Sequence, residues 1–264
     1  MKHHALFAAK PRVGWRLTVV LWLAIGTHGV RAGLPETIAQ IKPSIVVVGT
    51  FNKLRSPAFQ LRGTGFVVGD GLTIATNAHV LPAKADADGQ EALVVLVRDG
   101  DEVRPRNATV ETTDKDHDLA LLKLTGSPLP PLRLKSPEFV REGMGIAFTG
   151  FPIGGALGYS PVTHRGVISA ITPIVLPGGN AGELYDKSIR RLRSGSFKVF
   201  QLDATAYPGN SGGPMYNEET GEVLGIINMV FVKSTKESVL QHPSGISYAI
   251  PADYLIELLR RIRP

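Results

Sequence analysis

The segment Gln201-Leu-Asp-Ala-Thr-Ala-Tyr-Pro-Gly-Asn-Ser-Gly-Gly-Pro214 surrounds one serine, Ser211, with glycines. Glycine lets the backbone turn sharply, so that two amide N–H groups can point at one spot. We predict that Gly209 and Ser211 supply these donors and that Asn210 belongs to the same oxyanion-binding turn. This pattern is typical of a serine that attacks a carbonyl group.

Two upstream segments carry the partners that such a serine needs. His79 lies in Ala75-Thr-Asn-Ala-His-Val80, and Asp118 lies in Asp116-His-Asp-Leu-Ala-Leu-Leu-Lys123. A serine hydroxyl is a weak nucleophile, and an imidazole titrates in the range where it can remove the hydroxyl proton. A carboxylate fixes the imidazole tautomer and stabilises the imidazolium ion. The order His79, Asp118, Ser211 therefore predicts a catalytic triad.

Two other interpretations of the serine segment were compared with the triad. Gly209-Asn-Ser-Gly-Gly213 also fits the nucleophile elbow of α/β-hydrolases, but those enzymes need an acid and a histidine after the serine. Only His242 follows Ser211, and the residues between them favour strands over a helix. The second alternative is a catalytically latent binding or chaperone-like protein, which the sequence leaves open.

The pattern along the chain predicts an all-β protein. Hydrophobic residues make up 43% and charged residues 20%, while 29 glycines and 19 prolines suit many short strands. A proline-rich connector at 126–137 separates two groups of strands, which we expect to form two packed barrels or sandwiches. Helices are predicted at 34–41 and 252–263. The ten predicted strands are 44–50, 63–69, 72–76, 92–97, 119–124, 144–149, 165–171, 200–202, 223–229 and 247–249.

Residues 1–32 have the pattern of a secretory signal peptide. Five basic residues and no acidic ones accompany the apolar run Leu17–Gly26, and Val30-Arg-Ala32 fits a signal peptidase site. We predict cleavage after Ala32 and an exported, periplasmic or secreted protein. Retention of the uncleaved leader as a membrane anchor is the alternative. Beyond the leader, 24 basic and 23 acidic residues nearly balance, so no nucleic-acid partner is predicted.

The absence of cysteine excludes disulfides, a thiol nucleophile and cysteine-ligated metals. No pair of histidines has the spacing of a helical zinc motif. We therefore predict no metal and no cofactor. The stability of the exported chain must then come from burial of its core.

The three segments, together with Gly63-Thr-Gly-Phe-Val-Val68 and Gly245-Ile-Ser-Tyr-Ala-Ile-Pro251, resemble the trypsin-like serine peptidases of the HtrA/Deg type. The resemblance implies a chymotrypsin-like fold of two packed six-stranded antiparallel barrels with a C-terminal helix. The first barrel, within 33–130, would carry His79 and Asp118, and the second, within 131–264, would carry Ser211. The implied activity is endoproteolysis of proteins or peptides, with a role in envelope protein quality control.

Some features depart from the family pattern. The chain stops at Pro264, so we expect no PDZ domain, and no oligomeric state is predicted. Asn210 stands where digestive relatives have an activating aspartate. Thr205, six residues before Ser211, is expected at the base of the first specificity pocket, where it supplies no charge. We therefore predict cleavage after small or medium apolar residues, with walls formed by Ile226, Ile227 and Asn228.

Overall fold

The computed structural model describes residues 33–82, 91–100, 102–153, 158–174, 197–228 and 246–262. The predicted leader, His242 and most of the glycine- and arginine-rich segment after Pro177 lie outside these ranges. The described residues form helices α1 (Leu34–Ile41) and α2 (Ala252–Ile262), three short 3₁₀ turns (Lys42–Ser44, Ala78–Val80, Pro137–Phe139) and twelve strands. The strands are β1 Ile45–Asn52, β2 Phe59–Val68, β3 Thr73–Asn77, β4 Glu91–Asp99, β5 Glu102–Asp114, β6 Leu119–Leu124, β7 Gly145–Gly150, β8 Val162–Ile174, β9 Phe197–Asp203, β10 Pro214–Asn217, β11 Val223–Asn228 and β12 Ile246–Pro251.

The first six strands close into a barrel in the order β1-β2-β3-β6-β5-β4, with every neighbouring pair antiparallel. One apolar cluster takes residues from all six strands, including Val46, Val48, Val67, Ile74 and Leu122. A closed sheet must fill its interior with every second side chain of each strand, and this cluster fills it. The closure also removes the open edges at which strands could aggregate.

The last six strands close in the same pattern, β7-β8-β9-β12-β11-β10. Their interior cluster again uses all six strands and includes Ile146, Phe148, Ile168, Leu202 and Ile227. The fold class is therefore confirmed: two six-stranded antiparallel barrels with a C-terminal helix, as in chymotrypsin-like proteins. The 20 residues between β6 and β7 form the connector between the barrels.

A third cluster joins the two barrels and the terminal helix. It contains Val47 and Phe66 from the first barrel, Tyr216 and Ile226 from the second, and Leu255 from α2. Burial of this surface fixes the barrels against each other, since apolar area removed from water stabilises the contact in proportion to its size. The residues that end strands near this seam are consequently held in fixed positions.

Each of the ten predicted strands overlaps an observed one. Strands β5 and β10 were not predicted, and β2, β8, β9 and β12 were predicted too short. Among the described residues, no helix has both the length and the apolar character required to cross a membrane.

Candidate active site

His79 and Asp118 form the best-defined contact of the site. His79 lies in the 3₁₀ turn that follows β3, and Asp118 directly precedes β6, which pairs with β3. The imidazole Nδ1 lies 2.5 Å from Asp118 Oδ2, and the backbone N–H of His79 donates to Oδ1 at 2.8 Å. Both carboxylate oxygens therefore hold one residue. A neutral imidazole protonated at Nδ1 leaves Nε2 as a base.

The backbone around Asp118 is shaped to present its carboxylate. Asp118 has a φ of 53°, in the left-handed region that aspartate tolerates better than most residues. Its carbonyl accepts hydrogen bonds from Ala78 N at 3.1 Å and Asn77 Nδ2 at 3.0 Å. Asn228 Nδ2 donates to Asp118 Oδ2 at 2.6 Å. The carboxylate, which is mostly buried, thus has the hydrogen bonds that a charge needs when it leaves water.

The loop before Asp118 is fastened to the rest of the protein by Asp114 and His117. Asp114 accepts hydrogen bonds from the backbone N–H and the ring Nδ1 of His117. Burial acts to raise the pKa of Asp114, but the His117 hydrogen bonds outweigh it and lower that pKa. The His117 ring stacks on Tyr254 of α2 with centroids 4.0 Å apart. The loop before Asp118 is therefore anchored to the terminal helix α2.

The turn around Ser211 packs against the strands that lead to His79. Thr64 N donates to the Ser211 carbonyl at 2.8 Å. Gly212 has a φ of 85°, and a Cβ at this position would lie 2.2 Å from Thr64 O and 2.3 Å from Thr76 Oγ1. Only glycine allows so close an approach to β2 and β3. Ser211 itself is 5% exposed.

The amides of this turn divide into two sets. Asn210 N donates to Tyr207 O, Gly212 N to Ile227 O, and Gly213 N to Asn210 O, each at 2.9 Å. Within the described chain, the N–H groups of Gly209 and Ser211 donate no hydrogen bond. These are the two donors predicted for an oxyanion. Asn210 lies in the same turn, as predicted, but its N–H donates to Tyr207 O and is therefore not available to an oxyanion.

The two halves of the site are adjacent, yet in the described chain no hydrogen bond joins the Ser211 hydroxyl to His79. The His79 side chain is 31% exposed, so a substrate can reach it. Hydrogen bonds between a nucleophile and its base are often long in a free enzyme and tighten when substrate binds.

The residues predicted for the specificity pocket divide between several surroundings. Thr205 is half-buried after β9, and Ser247 Oγ bridges its neighbours by accepting from Ala206 N at 2.9 Å and donating to Ala204 O at 2.8 Å. Ile227 belongs to the interior cluster of the second barrel. The same cluster contains Ala204 and Ala206, the two residues that flank Thr205 in the sequence. Thr205 and Ile227 therefore remain candidates for the pocket.

Two of the residues predicted for the pocket make contacts that the sequence did not indicate. Ile226 packs in the inter-barrel cluster with Leu255 of α2, because neighbouring residues of a strand face opposite sides. Asn228 donates a hydrogen bond to the Asp118 carboxylate, a contact that the pocket prediction did not include. Sequence reasoning found Asn228 but not its role, since the contact joins residues 110 positions apart. In the described ranges, no cluster of three or more His, Cys, Asp or Glu could hold a metal ion.

Two barrels with a histidine–carboxylate pair beside a glycine-rich serine turn define a chymotrypsin-like class of protein. Residues 63–226 match the family model of the trypsin-like peptidase domain, and the chain belongs to that family. It is homologous to the DegP/HtrA proteases, as the resemblance predicted.

Individual relatives agree with this assignment. The chain is 32% identical over 202 residues to a probable periplasmic serine endoprotease DegP-like of Halomonas elongata, covering 76% of this chain and 35% of the relative. It is 31% identical over 232 residues to the serine protease HTRA3 of Homo sapiens, covering 86% of this chain and 44% of the relative. An HtrA-type protease solved with a tripeptide superposes with a TM-score of 0.62 at 25% identity, covering 88% of this chain and 64% of that one. The chain thus spans less than half the length of these curated relatives.

Proposed function

We propose that this chain is a serine endopeptidase in which His79, Asp118 and Ser211 form the catalytic triad. The observation that carries the proposal is that Asp118 binds both the ring and the backbone N–H of His79, beside a serine turn in which the N–H groups of Gly209 and Ser211 donate to no other described residue. Family membership and the names of the relatives support the same chemistry.

The proposed reaction has two halves, acylation of Ser211 and hydrolysis of the resulting acyl-enzyme. Ser211 Oγ attacks the peptide carbonyl carbon while His79 Nε2 takes the hydroxyl proton, and Asp118 stabilises the imidazolium ion. The N–H groups of Gly209 and Ser211 bind the oxyanion of the tetrahedral intermediate. His79 then gives its proton to the leaving amine, and an acyl-enzyme remains. Water, activated by His79, hydrolyses the acyl-enzyme and restores the free serine.

The proposed substrates are proteins or peptides cleaved after small or medium apolar residues. Thr205 offers a hydroxyl and no charge at the expected base of the pocket, and its neighbours Ala204, Ala206 and Ile227 are apolar. A lysine or arginine side chain would find no counter-ion among these residues, and a charge buried without a partner is costly.

The proposed setting is outside the cytoplasm. The basic and apolar leader supports export, and the DegP-like relatives carry the description periplasmic. We propose envelope protein quality control as the role, and an uncleaved leader as the means of any attachment to a membrane.

Labelling with a fluorophosphonate probe tests the catalytic proposal. The probe reacts with a serine that has an assembled base and oxyanion site. The full chain, Ser211→Ala and His79→Ala would be labelled in parallel, and the labelled peptide located by mass spectrometry. We expect labelling of the wild-type chain alone, at Ser211. A folded wild-type chain that stays unlabelled would overturn the proposal and favour the catalytically latent binding protein.

A further inference from the structure

The carbonyl of Gly209 is held by a residue of the opposite barrel. Thr64, on β2, donates from Oγ1 to Gly209 O at 2.6 Å. The same hydroxyl oxygen accepts from Phe151 N at 3.1 Å. Thr64 is fully buried and Phe151 is almost fully buried, whereas Gly209 is half-buried. One hydroxyl therefore links the serine turn to the segment that follows β7.

Residues 151–153, which follow β7, also bind the preceding carbonyl of the turn, that of Pro208. Ile153 N donates to Pro208 O at 2.8 Å. In a trans peptide the C=O and N–H groups point in opposite directions, so the hold on Pro208 O directs the Gly209 N–H away from Ile153. The hold on Gly209 O likewise directs the Asn210 N–H away from Thr64, and that amide indeed donates to Tyr207 O.

The turn needs such restraint because Gly209 is conformationally permissive. Its φ is 105°, a value that glycine adopts freely and can equally leave. Rotation of the Pro208–Gly209 peptide would replace an N–H donor by a carbonyl oxygen at the oxyanion position. Thr64 restrains both sides of Gly209, directly through the Gly209 carbonyl and indirectly through Phe151 in the segment that holds Pro208.

We propose that Thr64 is a positioning residue for catalysis. Its hydroxyl keeps the Gly209 peptide oriented so that the N–H groups of Gly209 and Ser211 remain available to the oxyanion. The inference rests on the proposed peptidase function and adds a residue from the first barrel to the oxyanion site of the second. Thr64 touches no reacting atom and acts through Gly209.

The test compares Thr64→Val, which keeps the shape and removes the hydroxyl, with Thr64→Ser, which keeps the hydroxyl. Thr50→Val is the matched control. Thr50 is also buried on a first-barrel strand, and its hydroxyl donates to Glu91 at 2.5 Å, away from the serine turn. Peptide hydrolysis gives kcat and KM, and inhibition by a peptidyl trifluoromethyl ketone reports oxyanion binding. Thermal unfolding establishes that each variant is folded.

We expect Thr64→Val to lower kcat by about 10- to 100-fold with KM nearly unchanged, since loss of a whole oxyanion donor costs about 100- to 1000-fold. Ketone affinity should fall by a similar factor. Thr64→Ser should restore kcat to within about threefold, and Thr50→Val should leave kcat unchanged. If Thr64→Val does not fold, Thr64→Cys serves instead, because its thiol is a weak donor, and the same fall in kcat is expected.

Three results would overturn the inference. Unchanged kcat in a folded Thr64→Val or Thr64→Cys chain would show that the hydroxyl is not needed. An equal loss in Thr64→Ser would show that the methyl group matters instead. A change in KM alone would place Thr64 in substrate binding. An inactive wild-type chain, in contrast, would overturn the proposed function itself and this inference with it.

Discussion

Asn228 donates a 2.6 Å hydrogen bond to Oδ2 of Asp118, the same oxygen that lies 2.5 Å from Nδ1 of His79. The carboxylate is thus held by residues of both barrels. His79 belongs to the first barrel, and Asn228, the last residue of β11, belongs to the second. The amide adds a third hydrogen bond to a carboxylate that already makes two with His79, and so further restricts the orientation of the carboxylate and of the imidazole.

Replacement of Asn228 by alanine should lower kcat/KM by about 10- to 100-fold. A hydrogen bond to a charged group contributes about 1.5–3 kcal/mol, and its loss leaves Asp118 less well held. The rate of fluorophosphonate labelling at Ser211 measures the effect. Asn217→Ala is the control, since Asn217 Oδ1 accepts hydrogen bonds from Glu219 N and Thr220 N in the turn after β10. Equal labelling rates for wild type and Asn228→Ala would contradict the supporting role.

Asp118→Asn should abolish most activity without unfolding the chain. Asparagine tolerates the left-handed backbone that position 118 requires, so the turn should keep its shape. Its amide, however, no longer fixes the Nδ1-protonated tautomer of His79, and the corresponding loss in a serine protease is about 10⁴-fold in kcat. Steady-state hydrolysis measures the loss, and circular dichroism monitors the fold. Retention of more than about a tenth of the activity would remove Asp118 from the triad.

The strands found from sequence share a common feature, which is a run of apolar residues. β5 lacks it: Glu102–Asp114 is mostly polar and exposed, and it contains Pro105. It becomes a strand because it pairs with β4 on one side and β6 on the other. Strand preference depends strongly on such neighbours, which a local pattern does not contain. β10 was missed for another reason, since its four residues follow the glycine turn directly.

The site shows the same division between local and distant information. Gly209, Ser211, His79 and Asp118 belong to short segments whose chemistry is readable within a few residues. The roles of Thr64 and Asn228 exist only because the barrels meet: Thr64 lies 145 positions from Gly209, and Asn228 lies 110 from Asp118. Spacing in the sequence carries no information about such contacts, so Asn228 was predicted in a pocket and Thr64 was not predicted at all.

Thr205→Asp should extend cleavage to bonds after lysine or arginine. The half-buried threonine lies at the expected pocket base, and an aspartate there would supply the counter-ion that a cationic side chain needs. A peptide library analysed by mass spectrometry would compare wild type, Thr205→Asp and the uncharged Thr205→Asn. We expect cleavage after Lys or Arg in the aspartate variant alone. Efficient cleavage after Lys or Arg by wild type would contradict the proposed apolar preference.

The second barrel should lose stability in mild acid because of His164. Its ring stacks on Phe148 with centroids 4.9 Å apart, and its buried Nε2 has no hydrogen-bond partner among the described residues. Burial lowers the pKa of His164 below the ordinary value of 6.5. Above pH 6.5 the ring is neutral in both states and adds no pH dependence. As the pH falls below 6.5, the unfolded chain takes up a proton that the folded chain resists, so stability declines until the folded pKa is reached.

His164→Phe removes this titration while keeping an aromatic ring for the stack on Phe148. Melting temperatures of wild type and His164→Phe should be compared at pH 7.5 and pH 5. We expect the wild-type chain to lose more stability between these values, because acidic groups titrate alike in both proteins and only His164 differs. An identical pH dependence in both chains would show that His164 stays neutral, or gains a partner, throughout this range.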